Sequence, residues 1–199
     1  MADAQTLPPA TALVVVDVQE GFDDPWWGRR DNPAADANIE ALVDAFAASG
    51  RPLVYVRHES ANPDSPLHPD QPGNRLKPYL ARHAPALTVT KSVNSSFHGE
   101  PDLHAWLQGA GVTSVVVAGI TTNHCCETTA RVAGNLGYDT WFALDATHTF
   151  DRAAPDGTVM TAEELARATA TNLHGEFATV APTRQLLEML GEPGAAGAP

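Results

Sequence analysis

The apolar positions of this chain fall into two alternating patterns. Residues 11–18, reading TALVVVDV, form a short, nearly continuous apolar run, as expected of a strand buried on both faces of a parallel sheet. Shorter runs of the same kind recur at 52–57 (PLVYVR), 87–90 (LTVT), 114–118 (SVVVA), 140–144 (TWFAL) and 177–180 (FATV). Between them the spacing changes to three and four. Ile39, Leu42, Val43 and Phe46 line one side of a helix over 34–49 that stops at Gly50. Pro101 in the first turn and Gly109 after the last bracket a helix over 101–108. The run ETTARVAGNLG reads as a helix ending at Gly137, and Thr161 with Glu164 makes a T-x-x-E capping box that opens a helix through Leu173. Residues 183–190 supply the last helix. Strand and helix alternate without repeat or internal linker. That order predicts an α/β chain, a three-layer doubly wound fold with a central, mainly parallel six-stranded sheet. At 199 residues the chain is long enough for one sizeable core and short for two. A single domain over 1–199 is therefore expected, with its core at about 11–190 and the tail GEPGAAGAP frayed.

In open sheets of this kind ligands bind outside the carboxyl ends of the strands. Asp17 falls at the end of the first strand, His58 at the end of the second and Lys91 at the end of the third. After the fourth, VVVAGITTNHCC breaks at Gly119 and runs through polar residues, His124 among them, to Cys125 and Cys126 at a helix start. The first NH groups of a helix lack intrahelical partners and its dipole favours negative charge, so a thiol there is biased toward thiolate. A lone cysteine more commonly packs as a small buried hydrophobe. What changes the balance is that Asp17 and Lys91 arrive at the same edge. A nucleophile, a carboxylate that takes and returns its proton, and a cation that steadies the thiolate are the parts of a cysteine hydrolase. Helix phase leaves the two cysteines open: Cys125 falls in line with Val132 and Leu136, Cys126 with Ala130 and Ala133.

Long polar loops follow the first, second and fifth strands. QEGFDDPWWGRRDNP holds Phe22, Trp26 and Trp27, and aromatics in a loop either cover the core or wall a pocket. HESANPDSPLHPDQPGN holds His58 and His68 but no tight D-x-H or H-x-H cluster, so His58 is expected to be a structural or substrate-side histidine rather than a metal ligand. DATHTFDRAAPDGTV holds His148. Phe22, Trp27, His58, His124 and His148 are the expected substrate contacts. Composition narrows the partners: 24 acidic against 12 basic side chains give a net charge of -12, which argues against nucleic acid and anionic membranes and favours cationic or neutral small substrates. No window approaches a membrane-spanning apolar run, MADAQTLPPA lacks the pattern of a secretory leader, and the two cysteines are adjacent, a spacing that strains a disulfide. Free thiols and a cytoplasmic location are expected. A nucleotide-binding role lacks its glycine-rich phosphate loop, since DVQEGF follows the first strand.

VVVDVQEGF, TKSVNSSFHG and VVAGITTNHCCETTARVAGNLGYDT, in that order, resemble the three catalytic motifs of the isochorismatase-like cysteine hydrolase superfamily, and the similarity spans residues 12–180. The resemblance implies a catalytic triad of Asp17, Lys91 and Cys125, with Cys126 in the family's usual valine position as a small apolar filler. It also implies a non-proline cis peptide between Ile120 and Thr121, and an oxyanion hole made by the Thr121 and Cys125 amides. RHESANPDSPLHPD departs from the D-x-H metal loop of the nicotinamidase branch, so neither a bound metal or other cofactor nor nicotinamide specificity is expected. GITTNHCCETTARVAGNLGYDTWFALDATHTFD and ELARATATNLHGEFATV look most like the streptothricin hydrolase group, which opens a cyclic amide. The implied activity is hydrolysis of a carboxamide or lactam C–N bond through a thioester, with a small-molecule amide as partner. The alternatives are a nicotinamidase-like or other small-amide hydrolase, and a redox-responsive binding protein that uses Cys125 on the same fold. Dimers or tetramers are usual in the superfamily, so a homodimer or homotetramer is expected.

Overall fold

The structure, a computed structural model, describes residues 6–191. In chain order its elements are β1 (Thr11–Val16), α1 (Ala35–Ala48), β2 (Leu53–His58), β3 (Leu87–Lys91), α2 (Leu103–Gly109), β4 (Ser114–Ile120), α3 (Glu127–Asn135), β5 (Asp139–His148), β6 (Arg152–Ala153), β7 (Val159–Met160), α4 (Ala162–Leu173), β8 (Thr179–Ala181) and α5 (Thr183–Leu190). Six strands pair in the order β3-β2-β1-β4-β5-β8, every neighbour parallel, while β6 and β7 form a separate antiparallel ribbon.

Side chains alternate across a strand, and the central strands bury both sets. Leu13 and Val15 of β1, with Val116 and Ala118 of β4, pack among Ile39, Leu42 and Phe46 of α1 and Leu186 and Met189 of α5. Ala12, Val14 and Val16, with Val115 and Val117, pack among Leu103 and Leu107 of α2, Ala130 and Ala133 of α3 and Leu173 of α4. Both faces are covered, which is why β1 reads as an apolar run rather than an alternation. The capping box at α4 forms, with the Thr161 side chain accepting from the Glu164 amide and the Glu164 carboxylate accepting from the Thr161 amide. Among the described residues no helix is long and apolar enough to cross a membrane.

Two boundaries differ from expectation in ways that matter. The first strand stops at Val16, because Asp17 takes a left-handed backbone conformation (φ 52°) that turns the chain out of the sheet; aspartate is one of few non-glycine residues that tolerates it. The fifth strand, expected over 140–144, continues to His148 through an irregularity: Val117 pairs with Phe142, then Gly119 pairs with Thr147. The extra residues are held by side chains. Asn32 and Asn38 donate to the Asp145 carbonyl (2.8 and 2.6 Å), and the Asp145 carboxylate accepts from the Thr183 amide and hydroxyl (2.7 Å each). Much of the expected loop after the fifth strand is thus strand or ribbon.

From β1 the chain winds through β2 and β3 to one edge, then returns to β4 beside β1 and winds to the other. The crevice beyond the ends of β1 and β4 is therefore the switch point where such sheets bind ligands. The two strand ends approach closely there. A Cβ built on Gly119, whose φ is +132°, would lie 2.0 Å from the Val16 carbonyl oxygen, so only glycine fits.

Candidate active site

Asp17 follows β1, Cys125 lies in the turn after β4, and Lys91 ends β3, two strands away from β1. The lysine's length closes that gap. Its Nζ lies 2.6 Å from Asp17 Oδ2, 3.5 Å from Cys125 Sγ and 3.3 Å from His58 Nδ1. An ammonium has three donors, and these three neighbours can take them all. The Asp17 and Lys91 side chains have no solvent exposure. Burial works against the Lys91 charge, but Asp17 and Cys125 outweigh it and hold its pKa above the ordinary lysine value. His58 is pushed the other way by burial and by Lys91, so its ring stays neutral. Asp17 Oδ1 is buried with no hydrogen-bond partner.

The structure distinguishes the two cysteines. Cys125 is 8% exposed and lines a cavity, whereas Cys126 has no exposure and packs in the core against α3. The cysteines close a wide helical turn, Thr122–Cys126, in which the Cys126 amide reaches back five residues to the Thr121 carbonyl (3.2 Å), and α3 begins only after it. The peptide between Ile120 and Thr121 is cis. The thiolate bias expected of a helix start is reversed in this resting geometry. Burial and then the Asp17 charge push the Cys125 thiol up, with Lys91 pulling against them, so the thiol holds its proton until something draws it off.

Surrounding contacts fix these groups. The Gln19 side chain donates to the His58 and Asn74 carbonyls (3.0 and 2.9 Å) and accepts from the His58 amide (2.9 Å), pinning the end of β2. The Cys125 thiol donates weakly to Asn94 Oδ1 at 3.8 Å. The Asn94 segment is tied to α3 where the Ser96 amide donates to the Thr129 hydroxyl (3.1 Å), and the Thr122 hydroxyl donates to that of Thr147 (2.8 Å), joining the cysteine turn to β5. Asp17, His58 and Cys125 offer ligand atoms within 4.8 Å of one another, as a metal site would. The Lys91 ammonium already sits against all three, so the cation position is filled by the protein itself. His68 lies apart, accepting from the Asp70 amide in a local turn (3.3 Å).

The cavity has a volume of about 170 Å³. Asp17, Cys125, Thr121, His58, His124 and Asn94 form its polar side. Phe22, Trp27 and Phe150 form its aromatic lining: Trp27 packs at 4.8 Å from Phe22 and 5.6 Å from Phe150 between ring centres, and its indole NH donates to the Gly21 carbonyl (2.8 Å). Four of the five expected contacts, Phe22, Trp27, His58 and His124, are therefore on the wall. His148 is not. It is fully buried at the end of β5, edge-on to Phe150 at 5.4 Å, with neither ring nitrogen partnered, and burial pushes its pKa down to about 3. The strand that carries His148 past residue 144 aims the following residues at the cavity instead, and Thr149, Phe150, Asp151 and Arg152 line it. These four, with Asn94 and Leu67, are not among the residues the sequence points to. Asn94 had one signal, its place three residues beyond Lys91 in the same motif.

Residues 11–181 match the isochorismatase domain family. The chain belongs to the isochorismatase family. It is 39% identical over 176 residues to the isochorismatase family protein YrdC of Bacillus subtilis, covering 88% of this chain and 94% of YrdC. An isochorismatase-family crystal structure from Chromobacterium violaceum superposes with a TM-score of 0.89 at 34% identity, covering 96% of this chain and 99% of the other. Relatives with named activities are more distant. Nicotinamidase 3 of Arabidopsis thaliana is 29% identical (84% of this chain, 82% of the relative), and streptothricin hydrolase of Streptomyces noursei is also 29% identical (77% and 60%). The isochorismatase family is thus shown, while the likeness to streptothricin hydrolase is no greater than to a nicotinamidase.

Proposed function

We propose that the protein is a cysteine-dependent hydrolase that cleaves the C–N bond of a small carboxamide or cyclic amide through a thioester on Cys125. The observation that carries this reading is the shared ammonium: Lys91 Nζ bridges the Asp17 carboxylate and the Cys125 sulfur at the wall of a cavity. In the proposed cycle Asp17 takes the Cys125 proton as the amide carbonyl arrives, and Lys91 steadies the sulfur's charge. The sulfur attacks the carbonyl carbon. Charge on the carbonyl oxygen is received by the Thr121 and Cys125 amides. As the tetrahedral adduct collapses, Asp17 gives its proton to the leaving nitrogen, and the C–N bond breaks. Water then adds to the thioester with Asp17 as base, releasing the acid and returning the proton to Cys125. The unpartnered Asp17 Oδ1 supports this assignment, since it leaves a carboxylate oxygen free to accept a proton while Oδ2 stays on Lys91.

Relatives named for a nicotinamidase and a streptothricin hydrolase support amide chemistry without choosing between open and cyclic substrates. The cavity of about 170 Å³ favours a compact amide, or the amide-bearing end of a larger molecule. A hydrolysis screen over simple carboxamides, nicotinamide and streptothricin-like lactams, run with and without chelator, tests the reading. Turnover that is insensitive to chelator is expected, because Lys91 fills the cation position. No turnover of any amide, together with mild peroxide oxidation of Cys125, would favour the redox-responsive binding protein instead.

A further inference from the structure

The charges around the cavity sum to zero, but they are not all paired, since Arg29 faces two carboxylates and Arg152 none. On its floor Asp17 is matched by Lys91. At its mouth the Asp151 carboxylate accepts two hydrogen bonds from Arg29 (2.9 Å each) and one from the Ala162 amide (2.8 Å), and Arg29 also holds Glu163. Arg152, the next residue, lines the same cavity and is exposed, and among the described residues it makes no ion pair and no side-chain hydrogen bond. The aromatic wall brings no charge. What remains is one uncommitted guanidinium at the mouth of a cavity whose inner ion pair is already neutral. Its field reaches inward: after burial, Arg152 is the main cause that holds the His124 ring neutral, and His124 is the residue before Cys125.

A guanidinium offers a planar fork of donors matched to a carboxylate. Resting on the amidase reading of Cys125, we propose that Arg152 selects substrates bearing a carboxylate beyond the scissile amide. The substrate class is then the compact acid amides, with a carboxamide and a carboxylate on one short skeleton. This reverses the cationic preference suggested by the net charge of -12. Exposed acids farther than about 10 Å from the mouth are screened by salt, and the acids beside Arg152 are already held by Arg29, so the one charged group without a partner decides. Arg152 stands on the ribbon, where its strand pairs with Met160 and Val159, so the preference is built by a short hairpin grafted beside the sheet.

Two measurements test the proposal separately from the amidase reading. The first compares kcat/KM for succinamate, its neutral isostere succinamide and the cationic 4-aminobutanamide. Wild type prefers succinamate over succinamide by about tenfold or more, the size of a charge-assisted hydrogen bond. The ratio falls toward one in Arg152→Gln, and in Arg152→Glu the cationic amide becomes the better substrate. Arg184→Gln removes the same charge from the exposed face of α5 and leaves the ratio as in wild type. The second measurement needs no turnover: alkylation of Cys125 by anionic iodoacetate against neutral iodoacetamide. The iodoacetate-to-iodoacetamide rate ratio drops in Arg152→Gln, drops further in Arg152→Glu, and holds in Arg184→Gln. Alkylation ratios that follow Arg152 with no amide hydrolysed uphold the anion site and sink the amidase reading. Amide turnover with substrate and alkylation ratios indifferent to Arg152 overturns the proposal and leaves the amidase reading standing.

Discussion

Replacing Lys91 by Met keeps most of the side-chain volume and removes the ammonium. Both members of the Asp17–Lys91 pair are fully buried, and Asp17 Oδ1 already lacks a partner, so the variant leaves a buried carboxylate with neither oxygen hydrogen-bonded. Taking one partner from a buried pair costs about 3–5 kcal/mol. In a chain of this size about 1 kcal/mol moves the melting temperature by about 2–4 °C, so Lys91→Met melts roughly 6–20 °C below wild type. Asp17→Asn on the Lys91→Met background removes the charge outright and regains most of the lost stability, a coupling of about 3 kcal/mol. Urea unfolding of wild type, both single variants and the double variant reads every term. A loss below about 1 kcal/mol for Lys91→Met, or additive losses in the double variant, refutes the claim that the pair is a desolvated unit.

His148 gives a pH-dependent prediction of definite sign. Its folded pKa of about 3 lies below the unfolded value of about 6.5, so its contribution is complete above pH 6.5 and is lost as pH falls toward 3. Between pH 6.5 and pH 5 that amounts to about 2 kcal/mol. In His148→Leu this part of the slope disappears, and chemical unfolding at the two pH values shows whether the profiles differ; coincident profiles would sink the assignment. Gly119→Ala costs about 3 kcal/mol or more, since its Cβ meets the Val16 carbonyl and its φ is +132°. Thermal melts within 2 °C of wild type would show that the ends of β1 and β4 are not as close as described. Chelator dialysis leaves both stability and turnover unchanged, and a loss restored by added divalent metal would overturn the view that Lys91 occupies the cation position.

The fold was largely legible because its strands are buried on both faces. That makes them short apolar runs, and each helix between them carries its own stripe or cap. Asp17, Lys91 and Cys125 were legible as residues at strand ends and became specific only through the three ordered motifs. Lys91 Nζ within 2.6 Å of Asp17, across an intervening strand, was not, since a lysine's reach leaves no periodic trace. The walls of the pocket were harder. In sequence His148 follows an apolar run in a polar stretch, which predicts a wall residue, but the irregularity at Asp145 carries β5 onward and buries it. That irregularity depends on side chains of Asn32, Asn38 and Thr183, each distant in sequence. Phe150 and Arg152 reach the cavity only because of it. The choice between Cys125 and Cys126 is likewise tertiary: both fit the helix phase, and only packing sets one at the cavity wall and encloses the other.

The most direct measurement is an acid-quenched single turnover on an amide substrate, followed by mass mapping of the peptide that contains both cysteines. An acyl adduct on Cys125 is predicted for wild type and for Cys126→Ala, whose turnover stays within a few-fold, and Cys125→Ala shows neither adduct nor hydrolysis. Full hydrolysis by Cys125→Ala, or an adduct found on Cys126, would contradict the mechanism.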